Sequence, residues 1–301
     1  MENAQTSRPM VGILWMLVTG LCFVAVTAIV KYLGPRIPPE EQAFLRYFLG
    51  LVFLIPMLPA LLKTRLNTKL VLQFSVRGAL HAVGVMLWFY AMTRIPLAEV
   101  TAINYLAPVY VTLGAALFLG ERLAMRRIAA VITALIGAVI ILRPGFREIQ
   151  PGHWAMLLAA VLFGGSYLLA KVTVGKVPAA VVVGMLSIVV TLALAPFAYA
   201  VWVTPTWTEI GILFGVACFA TAGHYTMTLA FAAAPVAVTQ PVTFLQLVWA
   251  TALGALAFSE PVDFWVVLGG AIVLASVSFI TWRETMLNRR QITPATPATK
   301  V

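Results

Sequence analysis

Of 301 residues, 62% are hydrophobic and only 10% are charged, against roughly 25% charged in an ordinary soluble domain. So few polar side chains cannot cover a water-soluble surface of this size. The net charge of +10 comes as scattered Lys and Arg residues in short gaps between apolar runs, which encodes membrane topology rather than a nucleic-acid-binding face.

The runs are continuous rather than alternating, and each approaches the roughly 20 residues needed to cross a hydrocarbon core of about 30 Å. In lipid the backbone must satisfy its own hydrogen bonds, so continuous runs predict helices. After a polar tail over residues 1–9, ten spans are expected at 10–31, 41–62, 74–93, 97–119, 127–143, 152–171, 178–202, 209–232, 236–257 and 264–282. The first is read as a retained span, since no small-residue cleavage site follows it. Connections are short and leave no room for a soluble domain. The end from Gln291 to Val301 is rich in Thr, Pro and Ala and is expected to be disordered. Cys22 and Cys218 fall inside apolar runs, where small packing residues are expected.

With the N-terminus inside, fourteen Lys and Arg residues fall in cytoplasmic segments, Arg77 among them, and five fall outside. That bias predicts both termini in the cytoplasm of a multi-pass inner-membrane protein.

The halves repeat each other. A gapless shift of 139 residues places Trp15 on Trp154, Gly84 on Gly223, Pro96 on Pro235, Thr112 on Thr251 and Glu121 on Glu260. The expected units are 10–143 and 152–282, with tails at 1–9 and 283–301. Each unit has five spans, an odd number, so the second is inverted relative to the first. The fold class is therefore an all-α integral membrane protein of ten transmembrane helices in two inverted five-helix repeats. Inverted repeats mark secondary transporters, whose sites lie near the bilayer midplane between the halves.

These residues resemble the drug/metabolite transporter superfamily and its ten-helix EamA-like branch. The likeness runs through Pro96-Leu97-Ala98, Pro108, Leu119-Gly120-Glu121-Arg122 and Gly137, then Pro235-Val236-Ala237, Phe244-Leu245-Gln246, Ser259-Glu260 and Gly269. Ser259 stands where that pattern has glycine, and Leu247 aligns with Pro108, so the halves have diverged. Gly12-Ile13-Leu14-Trp15-Met16 and Gly84 to Tyr90 look most like a bacterial group that includes riboflavin importers. The resemblance implies a secondary transporter of a small organic metabolite, riboflavin uptake being its most specific form. Export of amino acids or related metabolites is the alternative.

Polar groups inside a span are expensive and mark partner helices or watery cavities. Candidate substrate-binding residues are His81, Trp88 and Tyr90 in the third span, Asn104 and Tyr105 in the fourth, His224 and Tyr225 in the eighth, and Gln240 and Gln246 in the ninth. Together they are expected to line one cavity whose aromatic walls suit a flat molecule. A hydrogen bond to a neighbouring helix accounts equally for any single one. Arg46 and Glu99 are expected to pair, as a gate or a fixed bridge. Trp15 and Trp202 are expected at the membrane interface, Gly211 and Gly215 at a close helix contact, and Glu121 and Glu260 beside helix starts.

No GxxxxGK[ST] appears, so ATP hydrolysis is excluded. His81, His153 and His224 show no HExxH spacing, so no catalytic residue, metal or cofactor is expected. The expected partners are the bilayer and a small-molecule substrate, flat and aromatic such as riboflavin. A homodimer is left open.

Overall fold

The computed structural model describes residues 8–120, 125–146, 148–173, 176–234 and 239–292. Among them nine helical stretches are long and apolar enough to cross a membrane: Pro9–Leu33, Pro39–Lys63, Thr68–Met92, Leu97–Phe118, Met125–Leu142, Pro151–Ala170, Ala180–Ala200, Trp207–Phe231 and Phe264–Arg283. The shorter apolar helix Phe244–Phe258 stands in the ninth position, so ten spans are numbered in chain order. Connections after odd-numbered spans share one face, the odd face; those after even-numbered spans share the even face.

Local chemistry sets the span starts. Pro39 and Pro151 occupy first-turn positions that need no N–H donor. Asn67 accepts the Leu70 N–H at 2.9 Å to open span 3. Thr206 and Glu209 form a reciprocal capping box at span 8.

Three spans are not the unbroken helices the hydropathy suggests. Span 2 relaxes from α-helix at Pro39–Gly50 to a 3₁₀ stretch at Leu51–Met57 containing Pro56. Span 4 is α-helical at Leu97–Asn104, breaks at Tyr105 and Leu106, and resumes at Ala107–Leu119. Pro108 causes that break: it has no N–H to offer the Asn104 carbonyl, and its ring collides with that group. Span 9 opens with a 3₁₀ turn at Gln240–Thr243 before the helix Phe244–Phe258. Span 10 runs on to Ile292, so Gln291 belongs to a helix. The rest of the expected tail lies outside the described residues, as do Glu121, Arg122 and Pro235-Val236-Ala237.

Packing reflects the repeat. Span 1 lies along span 8, and span 3 along span 6. Span 4 packs on span 6 and span 9 on span 1, while span 3 meets span 7 and span 8 meets span 2. Spans 2 and 7, 4 and 9, and 5 and 10 each pair with their own counterpart. Exchanging the halves maps every one of these contacts onto another in the set, as an approximate two-fold axis requires. The close backbone approach comes where Gly137 in span 5 meets Gly269 in span 10. A Cβ on either would lie 2.8 or 2.6 Å from the other's carbonyl oxygen. Gly211 and Gly215, expected at such a contact, face open space. Their spacing is right, but no helix passes there.

Large apolar side chains such as Leu62, Leu117, Phe118 and Leu256 point outward, as lipid permits. Trp15 and Trp202 are partly exposed near span ends, consistent with interfacial anchoring. Inside, Phe89, Met92, Ile103, Leu106 and Met156 belong to one apolar cluster shared by both repeats.

Candidate functional site

The polar interior is assembled from spans 2, 3, 6 and 8. His81 lies about midway along span 3, is 4% exposed, and hydrogen-bonds Ser166 Oγ through Nδ1 at 3.3 Å. Aromatic rings surround it: Phe163 at 5.0 Å between centroids, Tyr47 edge-on at 6.3 Å and Tyr167 at 6.3 Å. Tyr167 stacks on Phe163 at 6.2 Å, and Trp88 meets Phe163 edge-on at 6.1 Å. Phe163 is buried, yet Tyr167 beside it keeps 41% of its surface exposed. That ring therefore stands at the edge of the core, with one side on the aromatic wall and the other open. From span 8, His224 packs edge-on against Phe23 of span 1 at 5.2 Å.

Two guanidiniums join this interior. Arg46 and Arg77 are each 7% exposed and lie within electrostatic reach of both His81 and His224. Arg46 rests over the face of Tyr47, its Cζ 3.9 Å from the ring centroid, and its buried Nε has no hydrogen-bond partner. Arg77 donates to the Val182 carbonyl at 3.3 Å, and its Nε is likewise unpartnered. Charge counting put Arg77 in a cytoplasmic segment, but span 3 begins at Thr68 and carries it inside.

The interrupted spans 4 and 9 meet beside each other at their breaks. Tyr105, released from regular helix, donates its hydroxyl to the Thr243 carbonyl at 2.7 Å. Asn104 Oδ1 is buried without a partner. Broken helices at mid-depth supply the irregular backbone that transporter sites use.

At the odd face five of the seven described carboxylates are partnered across the repeat boundary. Glu260 binds Lys31 and also accepts the Leu97 N–H at 2.9 Å, at the start of span 4. Arg36 pairs with Glu209, which holds its guanidinium above the ordinary value. Arg143 pairs with Asp263, and Glu41 accepts the Val203 N–H at 2.8 Å. Glu99 takes His153 as its partner, both side chains being 4% exposed. The Gln150 N–H donates to His153 Nδ1 at 3.0 Å, so Nε2 carries the proton that faces Glu99. The expected Arg46–Glu99 pair is not formed. Arg46 lies a turn deeper among aromatic rings, and His153 at the start of span 6 claims the carboxylate.

The other expectations divide. His81, Trp88 and His224 come together; Asn104 and Tyr105 lie at the helix break. Gln246 lines span 1, its Cβ 3.6 Å from the position a Cβ on Gly20 would take. Tyr90 lies at the odd-face end of span 3, capped by the Arg94 guanidinium 3.6 Å from its ring centroid. Tyr225 is 64% exposed and points away from the interior: one position beyond His224, it is turned about 100° around the helix. The side chain of Gln240 lies outside the described residues. Tyr47, Ser166 and Tyr167 were not anticipated. Ser166-Tyr167, a polar pair inside an apolar span, was the available signal.

The EamA-like transporter family matches residues 10–143 and again residues 150–282. The chain is 30% identical over 289 residues to a riboflavin transporter of Rhizobium johnstonii, covering 95% of this chain and 96% of that protein. It is 26% identical to an S-adenosylmethionine uptake transporter of Rickettsia prowazekii, covering 91% and 93%. A solved structure titled "Crystal structure of protein" superposes with a TM-score of 0.60 at 19% identity, covering 94% of this chain and 99% of that one. That likeness shows the fold.

Proposed function

Because the chain belongs to the EamA-like transporter family, and so is a multi-pass membrane transporter of a small metabolite rather than an enzyme, we propose that it imports a flat aromatic metabolite of the flavin kind, riboflavin being the first to test. The observation that carries this is the interior wall of Phe163, Tyr167 and Trp88 around His81. Tyr167 and half-buried Trp88, backed by the buried Phe163 and His81, offer stacking surface to a planar ligand, while the unpartnered Asn104 carbonyl offers an acceptor to its polar edge. Likeness to the Rhizobium johnstonii riboflavin transporter supports the same choice. S-adenosylmethionine, named for the Rickettsia prowazekii relative, carries a sulfonium cation, which two unpaired guanidiniums would repel.

The working cycle follows from where the two repeats are fastened. Ion pairs and helix-cap bonds tie them together at the odd face, so this conformation is closed there. Opening to that side requires Lys31–Glu260, Arg36–Glu209, Arg143–Asp263 and Glu99–His153 to separate together as one half rocks against the other. We take the odd face as periplasmic and both termini as cytoplasmic, on the excess of Lys and Arg in the even-face loops and tails.

The test is uptake of labelled riboflavin by a riboflavin auxotroph expressing the full chain, beside an empty-vector control. Saturable uptake is expected. Its absence from well-expressed, membrane-inserted protein would reject riboflavin import and turn the search to export.

A further inference from the structure

Seven of the ten acidic residues have described side chains, and all seven sit at the odd face, in its loops or in the first turns of the spans that leave it. The interior holds Arg46 and Arg77 and, among the described residues, no carboxylate opposite them. Neither forms an ion pair there. Arg46 donates no hydrogen bond among the described residues, and Arg77 donates only to Val182. An unneutralised guanidinium inside a membrane protein is expensive. Two of them within reach of the same histidines add mutual repulsion.

From this we infer that the interior is an anion site, which takes its substrate by a carboxylate or phosphate group engaged by Arg46 and Arg77 while the flat body lies on the wall of Phe163, Tyr167 and Trp88. The inference rests on the transport function proposed above but departs from its first candidate: riboflavin is neutral at physiological pH, and the site calls for a flat molecule that carries a carboxylate or phosphate. The geometry suits the task. Arg46 lies over the Tyr47 ring and its buried Nε has no hydrogen-bond partner, which leaves an N–H donor for an oxygen of a carboxylate or phosphate. Arg77 keeps its Nε free. Among the described residues His81 and His224 bring no negative charge and no carboxylate faces the two arginines, which is the place a ligand's anionic group would take. A neutral ligand would leave both charges uncompensated, and a cation would raise the cost further.

Two matched pairs of probes test this on purified full-length protein in lipid nanodiscs: riboflavin 5′-phosphate against riboflavin, and indole-3-acetate against indole-3-acetamide. In at least one pair the anion should bind about tenfold more tightly, a modest gain for close charge pairs. That advantage should fall below about threefold in Arg46→Gln and in Arg77→Gln, and return in Arg46→Lys or Arg77→Lys, which restore charge without the fork. The first pair reports a phosphate anchor, the second a carboxylate. Equal binding of anion and neutral partner in both pairs overturns the inference, as does an anion preference that survives both Gln substitutions, or no binding of any of the four. Because the wild-type comparison decides, a Gln variant that fails to fold does not rescue the idea. Riboflavin bound without anion preference would sink the anion site and leave flavin import standing. Indole-3-acetate preferred over its amide, with neither flavin bound, would do the reverse.

Discussion

At the odd face a positive charge meets a negative one across the repeat boundary: Lys31 with Glu260, Arg36 with Glu209, Arg143 with Asp263. Ten residues along the chain from Arg36 and inside span 2, Arg46 lies over the Tyr47 ring with no carboxylate among the described residues beside it. Both regions hold cations, and only one supplies the counter-charge. The difference teaches what each charge is for. On the proposals above, a partnered cation fastens two halves that later separate, whereas an unpartnered one waits for a ligand's charge.

The largest effect should come from breaking a partnered site. Glu260→Ala removes the counter-charge of Lys31 and the acceptor of the Leu97 N–H together, at a residue little exposed. The purified protein should lose on the order of 3 kcal/mol of stability, the lower end for a buried pair broken at one end, read as a lowered melting temperature. Lys31→Met added to Glu260→Ala should recover part of that loss, because it removes the charge left behind. No recovery in the double variant would mean that Glu260 matters through the helix start alone.

In the interior the sign should reverse. Arg46→Gln or Arg77→Gln relieves an uncompensated buried charge, so each variant should melt higher, by about 1–2 kcal/mol, while transport falls. Stability and function moving in opposite directions is the signature of a charge kept for a ligand. A loss of stability in either variant would show that the arginine is already neutralised within the protein.

A smaller effect sharpens the odd-face half of the contrast. Gly254 in span 9 leaves room for the Glu260 carboxylate, and a Cβ there would fall on Oε2. Gly254→Ala should push that carboxylate off Lys31 and cost about 1 kcal/mol, less than Glu260→Ala. In a Glu260→Ala background the same change should cost almost nothing, because the clash is gone; thermal melts of the four proteins check it.

Ten spans, their repeat and the membrane setting were legible because lipid leaves few choices for the backbone and hydropathy reads them directly. The break in span 4 was legible in principle from Pro108 alone, since a missing N–H has one consequence in a helix. Side-chain partners were not. Arg46 and Glu99 lie at similar depth in the sequence reading, and nothing in one dimension says that His153, 54 residues beyond Glu99, would reach the carboxylate first. Arg77 was misplaced because the expected span 74–93 left it only three residues from its end, where it was counted with the loop charges; the helix begins at Thr68 and places it nine residues in. His224 and Tyr225 were adjacent in sequence and therefore grouped, though a helix turns neighbours to different faces.

That last error yields the smallest prediction. Tyr225 sits next to an interior histidine along the chain and exposes 64% of its surface away from the bundle. Tyr225→Leu exchanges one lipid-compatible side chain for another, so its effect on stability should stay within about 0.5 kcal/mol. Transport should stay near wild type as well, since the residue touches none of the rings around His81. His224→Leu, one position away, removes the group that packs on Phe23 and faces both arginines, and transport by that variant should fall. Measured side by side in the same uptake assay, the two substitutions ask whether the interior is a defined site or a diffuse property of span 8. Equal losses would mean that the helix as a whole, and not the face it turns inward, carries the function.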